Sequence, residues 1–182
     1  MSKAGRIEVV CGSMFSGKSE ELLRRLKRAR IAKKKYQLFK PSVDNRYSDT
    51  EVVSHSGDRL ECQVLQNAFQ ISDFLEDDVE IVAFDEAQFF DMTLVTTAIS
   101  LADMGKRVII AGLDMDSQGR PFGPMPHLLA VSEEVLKLTA VCEVCGEPAT
   151  HTYRITEEDK EQVLVGAGDH YQARCRDHWS AR

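Results

Sequence analysis

The 182-residue chain has no apolar run long enough to span a bilayer, and Met1-Ser2-Lys3-Ala4-Gly5-Arg6 enters the first strand-like segment without a secretory-type apolar stretch. We therefore expect a cytoplasmic protein with no membrane partner. There is no excess of positive charge: 23 Lys+Arg against 29 Asp+Glu leave a net charge of −6. That excludes a surface built wholly to hold nucleic acid, although a local basic patch is still allowed. Internal repeats and low-complexity tracts are absent. The length and the 43% hydrophobic content suit one moderate globular domain with a small appendage. The five cysteines cannot all pair with one another, and two close pairs favour metal binding over disulfides in a reducing compartment.

The most informative segment is Gly12-Ser13-Met14-Phe15-Ser16-Gly17-Lys18-Ser19, which lies between the apolar Ile7-Glu8-Val9-Val10-Cys11 and the helix-like Glu20-Glu21-Leu22-Leu23. The spacing G-x-x-x-x-G-K-S lets a loop wrap a phosphate with its backbone N–H groups turned inward, and the following helix N-terminus adds partial positive charge. Lys18 is placed to reach the β- and γ-phosphates, and the Ser19 hydroxyl to ligate Mg²⁺. A nucleoside triphosphate is the expected ligand.

Further along, Leu22, Leu23, Leu26, Ala29 and Ile31 approximate one apolar helix face, and the basic run from Arg24 to Lys35 reads as its solvated side. That run has no interleaved aromatics for base stacking. Tyr36–Lys40 reads as a strand ended by Pro41, and Val52–His55 with Gly57-Asp58 as a hairpin or edge excursion. Phe69, Ile71, Phe74 and Leu75 suggest a short helix. Val79–Phe84 and Arg107–Leu113 read as buried parallel strands, with a helix from Met92 to Met104 closed by Gly105 between them. Pro121, Pro124 and Pro126 mark a constrained loop, and a last helix is expected near Ser132 to Leu138. The alternation predicts an α/β fold, a doubly wound, mostly parallel sheet with helices on both faces. We place a boundary near Thr139, giving an ATP-binding domain over 1–139 and a small β subdomain over 140–182.

The apolar strand ending in Asp85-Glu86 supplies the second half of a phosphoryl-transfer site, because ligands in open α/β sheets collect at strand C-termini. Asp85 is read as the Mg²⁺-side carboxylate and Glu86 as a general base for a substrate hydroxyl; alternatively the pair opens the next helix. Cys142-x-x-Cys145 and Cys175-x-x-His178 offer four ligands in two chelating pairs, a complete set for a structural Zn²⁺. Cys11 and Cys62 are expected to be plain thiols, and His151 and His170 lack chelate spacing. The stretch from Leu164 to Tyr171 reads, on residues alone, as a hairpin turn of the zinc subdomain.

Taken together, the phosphate loop, Asp85-Glu86-Ala87-Gln88-Phe89-Phe90, Gly112-Leu113-Asp114 leading to Pro121-Phe122-Gly123, and the Cys142/Cys145/Cys175/His178 set resemble the type II thymidine kinases over nearly the whole chain. The resemblance implies a RecA-like P-loop fold and transfer of the ATP γ-phosphoryl group to the 5′-hydroxyl of thymidine, a salvage step for DNA synthesis. Catalysis would rest on Glu86, Arg46 and Lys18. ATP would be held by Gly12, Ser13, Met14, Phe15, Ser16, Gly17, Lys18, Ser19, Asp85 and Gln88, with Mg²⁺ at Ser19 and Asp85. Asp44, Phe89, Leu113, Phe122, Thr152 and Tyr171 would surround the nucleoside, and the stretch containing Leu164, Val165 and Gly166 would become a lasso holding thymine through main-chain groups. Ser117, where the family commonly has phenylalanine, and Ala167, where it commonly has glycine, depart from the pattern. A structural zinc, a homotetramer and feedback inhibition by a triphosphate complete what the resemblance implies. Two alternatives remain: a P-loop kinase for another nucleoside, and a zinc-ribbon ATPase binding nucleic acid.

Overall fold

A computed structural model describes residues 4–42, 51–53, 59–155 and 170–180. Strand β1 (Arg6–Gly12), helix α1 (Lys18–Ile31) and strand β2 (Tyr36–Pro41) are followed by an antiparallel pair, β3 (Glu51–Val53) and β4 (Arg59–Glu61), and then by β5 (Gln63–Leu65). Next come α2 (Ile71–Phe74), β6 (Ile81–Phe84), α3 (Thr93–Asp103), β7 (Arg107–Gly112), α4 (Met125–Val131) and β8 (Glu134–Leu138). The C-terminal part holds two short antiparallel pairs, β9 (Ala140–Val141) with β10 (Pro148–Ala149) and β11 (His151–Arg154) with β12 (Tyr171–Arg174).

Six strands form one sheet in the order β5-β2-β6-β7-β1-β8, and every pairing in it is parallel. Because all the strands run the same way, the ends of β1, β6 and β7 open onto one edge, where the loops carrying Ser13, Asp85 and Leu113 converge. The expected α/β architecture with helices on both faces is observed. Along β1 the side chains alternate: Ile7, Val9 and Cys11 pack into the cluster that includes Leu94, Ala98 and Leu128 of α3 and α4, whereas Val10 packs with Leu22, Leu23 and Leu26 of α1.

The same alternation turns Glu8 toward α1. Its fully buried carboxylate accepts hydrogen bonds from Arg6 Nε at 2.6 Å, Arg107 Nε and Nη2 at 2.6 and 2.7 Å, and Arg25 Nη1 at 2.5 Å. Arg25 also reaches Glu21 and Glu134, both at 2.8 Å, so one cluster ties β1, β7, β8 and α1 together. Burial by itself would raise the Glu8 carboxyl, but the bonds from Arg107, Arg6 and Arg25 outweigh it and lower it from 4.5 to about 2.

Several elements differ from the sequence reading. Ser132–Leu138 is not a helix: Ser132 is already extended, and Glu134–Leu138 forms β8 beside β1. The free edge of β1 needs backbone partners. Glu133 starts the pairing, donating its N–H to the Ile7 carbonyl at 3.0 Å and accepting the Ile7 N–H on its carboxylate at 2.6 Å. The helix lies earlier, over Met125–Val131, inside what reads as a proline-constrained loop; prolines are tolerated in a first helical turn, where N–H groups have no intrahelical acceptor. Arg25 is buried despite its place in the basic run, and Ile31, read as part of the apolar face, is 82% exposed. Phe69 and Phe74 are exposed too, so only Ile71 of the expected short helix is buried. In the basic run, Arg24 pairs with Glu21, Lys34 with Glu80 and Lys35 with Asp78.

Glu8→Gln leaves three arginines around a neutral amide and is expected to cost about 3 kcal/mol in urea unfolding at neutral pH. Since the folded-state pKa is depressed, the wild-type contribution is complete above about pH 4.5 and is lost as pH falls toward 2. The variant should therefore lose less stability than wild type across that interval.

Candidate active site

The phosphate loop follows β1 directly. Gly12 has φ +147, and a Cβ there would stand 2.5 Å from the Leu138 carbonyl of β8 and 2.8 Å from Ser16 Oγ, so the first glycine of the motif is required by the neighbouring strand. The loop closes on the Ser13 carbonyl, which accepts Lys18 Nζ at 2.7 Å and Ser16 Oγ at 2.8 Å. Phe15 takes φ 64, a left-handed conformation unusual for its type, and Gly17 takes φ 84 at the start of α1. The N-terminal turn of α1 thus begins beside the loop amides, as an anion cradle requires.

Asp85, 5% exposed at the end of β6, accepts Ser19 Oγ on Oδ2 at 3.2 Å and the Glu86 N–H on Oδ1 at 2.9 Å. The two residues expected on the Mg²⁺ side are therefore in contact. Glu86 has φ 49, so the chain bends sharply as it leaves β6. It lines a small cavity shared with Met14, Lys18, Ser19 and Leu113. The acid pair does not open a long helix: a single 3-10 turn, Ala87–Phe89, follows with no side-chain cap, and α3 starts only at Thr93.

Gln88 is 2% exposed, and both ends of its amide are engaged within the protein. Its Nε2 donates to Glu86 Oε2 at 2.5 Å, and its Oε1 accepts the Leu113 N–H at 2.9 Å. This bridge joins the ends of β6 and β7 behind Glu86. Glycines flank it on two sides: a Cβ at Gly112 would stand 2.9 Å from the bridging Gln88 Oε1, and one at Gly123 (φ +51) would come within 2.3 Å of the Gln88 main-chain carbonyl. Beside the bridge, Phe89 meets Phe122 edge to face at 5.7 Å, in the region expected to wall the nucleoside.

In the C-terminal part, Cys142, Cys145, Cys175 and His178 bring their donor atoms within 4.8 Å of one another. The Sγ atoms of Cys145 and Cys175 are 3.7 Å apart, and His178 Nδ1 is 3.2 Å from Cys175 Sγ and 3.9 Å from Cys142 Sγ. Tetrahedral zinc with Zn–S near 2.3 Å sets its sulfurs about 3.8 Å apart. The cluster is compatible with structural zinc, and the thiols are not disulfide-bonded. Among the described residues the surrounding core consists of Ala140, Cys142, Ala149, Ala173 and Cys175, a small apolar volume.

Thr152 on β11 is 4% exposed, and its Oγ1 accepts the Met14 N–H at 3.1 Å. Tyr171, 7% exposed, starts β12 opposite Arg154. His151 is not in the metal cluster: it is buried and stacks on Trp179 at 4.4 Å, while Trp179 Nε1 donates to the Ser117 carbonyl at 3.3 Å. Burial and the charges of Arg176 and Lys137 push the His151 pKa down. Asp44, Arg46, Leu164, Val165, Gly166 and Ala167 lie outside the described residues. The Gln88–Leu113 link, the Thr152–Met14 bond and the Trp179 dock had no local signal in the sequence, since each depends on partners far along the chain.

The thymidine kinase family model matches residues 5–179. A thymidine kinase of Rhodothermus sp. (strain ITI 518) is 55% identical over 172 residues, covering 94% of this chain and 80% of that protein. Among solved structures, domain III of the Thermotoga maritima replication initiation protein DnaA is similar over 74% of this chain and 55% of that one, at 15% identity and a TM-score of 0.44, too loose a likeness to carry an argument. The family match across nearly all of the sequence accords with the phosphate loop, the strand-end acids and the Cys/His cluster, and the chain belongs to the thymidine kinase family.

Proposed function

We propose that this protein transfers the γ-phosphoryl group of ATP to the 5′-hydroxyl of thymidine. The observation that carries the reading is the common cavity of Lys18, Ser19 and Glu86, which sets a phosphate-loop cation and a carboxylate around one space. The loop amides and Lys18 hold the triphosphate and offset charge on its transferring group. Glu86 takes the 5′-hydroxyl proton as the oxygen attacks the γ-phosphorus and the bond from that phosphorus to the β–γ bridging oxygen breaks, releasing ADP and thymidine monophosphate. Gln88 holds Glu86 in position from behind. Ser19 and Asp85 are the residues that would hold the Mg²⁺ accompanying ATP, which neutralises phosphate charge when bound.

Arg46 belongs to this proposal as a further charge stabiliser, as do Asp44, Phe89, Leu113, Phe122, Tyr171 and the lasso around the nucleoside. The division near Thr139 and a zinc staple at Cys142, Cys145, Cys175 and His178 belong to it too. So do a homotetramer, feedback inhibition by a triphosphate and a cytoplasmic location. Among the described residues no helix is long and apolar enough to cross a membrane. The pairing of Arg24, Lys34 and Lys35 with acids disfavours the nucleic-acid reading.

Incubation with Mg-ATP and thymidine should yield thymidine monophosphate, with deoxyuridine and other nucleosides as parallel acceptors; no product from thymidine would overturn the assignment. Glu86→Gln should lower turnover about a hundredfold or more while leaving the affinity for an ATP analogue near wild type. Unchanged turnover would remove Glu86 from the base role. Elemental analysis should find one zinc per chain, and Cys142→Ser should lose the metal and lower the melting temperature.

A further inference from the structure

The Ser13–Met14 peptide unit is held from both sides. On one side its carbonyl accepts Lys18 Nζ at 2.7 Å and Ser16 Oγ at 2.8 Å. On the other its N–H donates to Thr152 Oγ1 at 3.1 Å, 138 residues away in sequence. Beside it, Ser13 Oγ donates to the Ala149 carbonyl at 3.4 Å, a second link to the C-terminal strands. The amide is planar and trans, so its C=O and N–H point in opposite directions and cannot turn independently. Tilting the N–H swings the carbonyl that holds the lysine through the same angle.

We propose that Thr152 is a positioning residue for the phosphate loop: through the Met14 amide it sets the plane of the Ser13–Met14 peptide, and with it Lys18, so that the C-terminal strands preorganise the ATP site. This role is distinct from any contact of Thr152 with the nucleoside, and it rests on the kinase reading only for its effect on turnover. The Thr152 hydroxyl is buried at the junction and the Met14 amide is partly buried. Removing the acceptor orphans that amide and frees the plane, and ATP must then restore the order that the protein had supplied. Coupling of this kind acts in both directions, so occupancy of the phosphate loop also steadies β11.

The test compares Thr152→Val, which keeps the shape and loses the hydroxyl, with Thr152→Ser, which keeps the hydroxyl. Each full-length, zinc-loaded variant is titrated with a non-hydrolysable Mg-ATP analogue in the absence of nucleoside. Thr152→Val should bind about five- to tenfold more weakly than wild type, the loss of one hydrogen bond, and Thr152→Ser should stay within about twofold. Exchange of the Met14 amide hydrogen should accelerate in Thr152→Val alone. With thymidine present, Thr152→Val should lower kcat and raise the KM for ATP. Wild-type analogue affinity in Thr152→Val, or a change confined to the KM for thymidine, overturns the proposal. If Thr152→Val does not fold, Thr152→Ser and Thr152→Ala pose the same question, and equal analogue affinities for those two overturn it. Absence of thymidine phosphorylation by the wild type would sink the functional reading instead, and the analogue titration would still decide the role of Thr152.

Discussion

A buried carboxylate surrounded by three arginines anchors the sheet. Glu8 lies at the start of β1, between β7 and β8 and under α1, and its partners Arg6, Arg107 and Arg25 come from β1 itself, from β7 and from α1. An unpaired charge at such a depth would be prohibitive, so the strands and the helix keep the relative placement that supplies all three partners. At the far end of β1 Gly12 lies opposite Leu138 of β8, and only glycine fits there. The phosphate loop thus leaves the same strand that the ion cluster anchors at its other end.

The chemistry converges because the sheet is parallel. The ends of β1, β6 and β7 carry the anion cradle, the acid pair and Leu113 to a single edge, and the Gln88 amide ties two of those ends together at 2.5 and 2.9 Å. The C-terminal strands then close the arrangement from outside the sheet. Among the described residues their own apolar core is small, beside it lies the cluster compatible with zinc, and Trp179 docks onto the Ser117 carbonyl. Thr152 reaches the phosphate loop from these strands, through the Met14 amide.

The local motifs were readable because their geometry is carried by adjacent residues. G-x-x-x-x-G-K-S encodes a loop that closes on itself, and each C-x-x-C or C-x-x-H pair can chelate from one turn. The buried runs at Ile7–Cys11 and Arg107–Leu113 also declared themselves, since strands covered on both faces need continuous apolar sequence. Ser132–Leu138 reads as a helix because a short segment mixing Val and Leu with charged residues fits either period; the edge of β1 makes Glu134–Leu138 a strand. Arg25 escapes a local pattern for a related reason: within a run of basic residues nothing nearby distinguishes the one that faces a buried glutamate 17 positions earlier.

Sequence alone determined which groups are available: a lysine and a serine at the end of a phosphate loop, two adjacent acids after an apolar strand, and three thiols and an imidazole in two pairs. Tertiary structure decided what each one faces. It made Asp85 the partner of Ser19, turned Glu86 into the cavity of Lys18, enclosed Gln88 as a brace and brought Thr152 to the Met14 amide. The division has a physical cause: backbone conformation and chelation act over a few residues and leave a local pattern, whereas hydrogen bonds and ion pairs across 17 to 138 positions exist only once the sheet has set the distances.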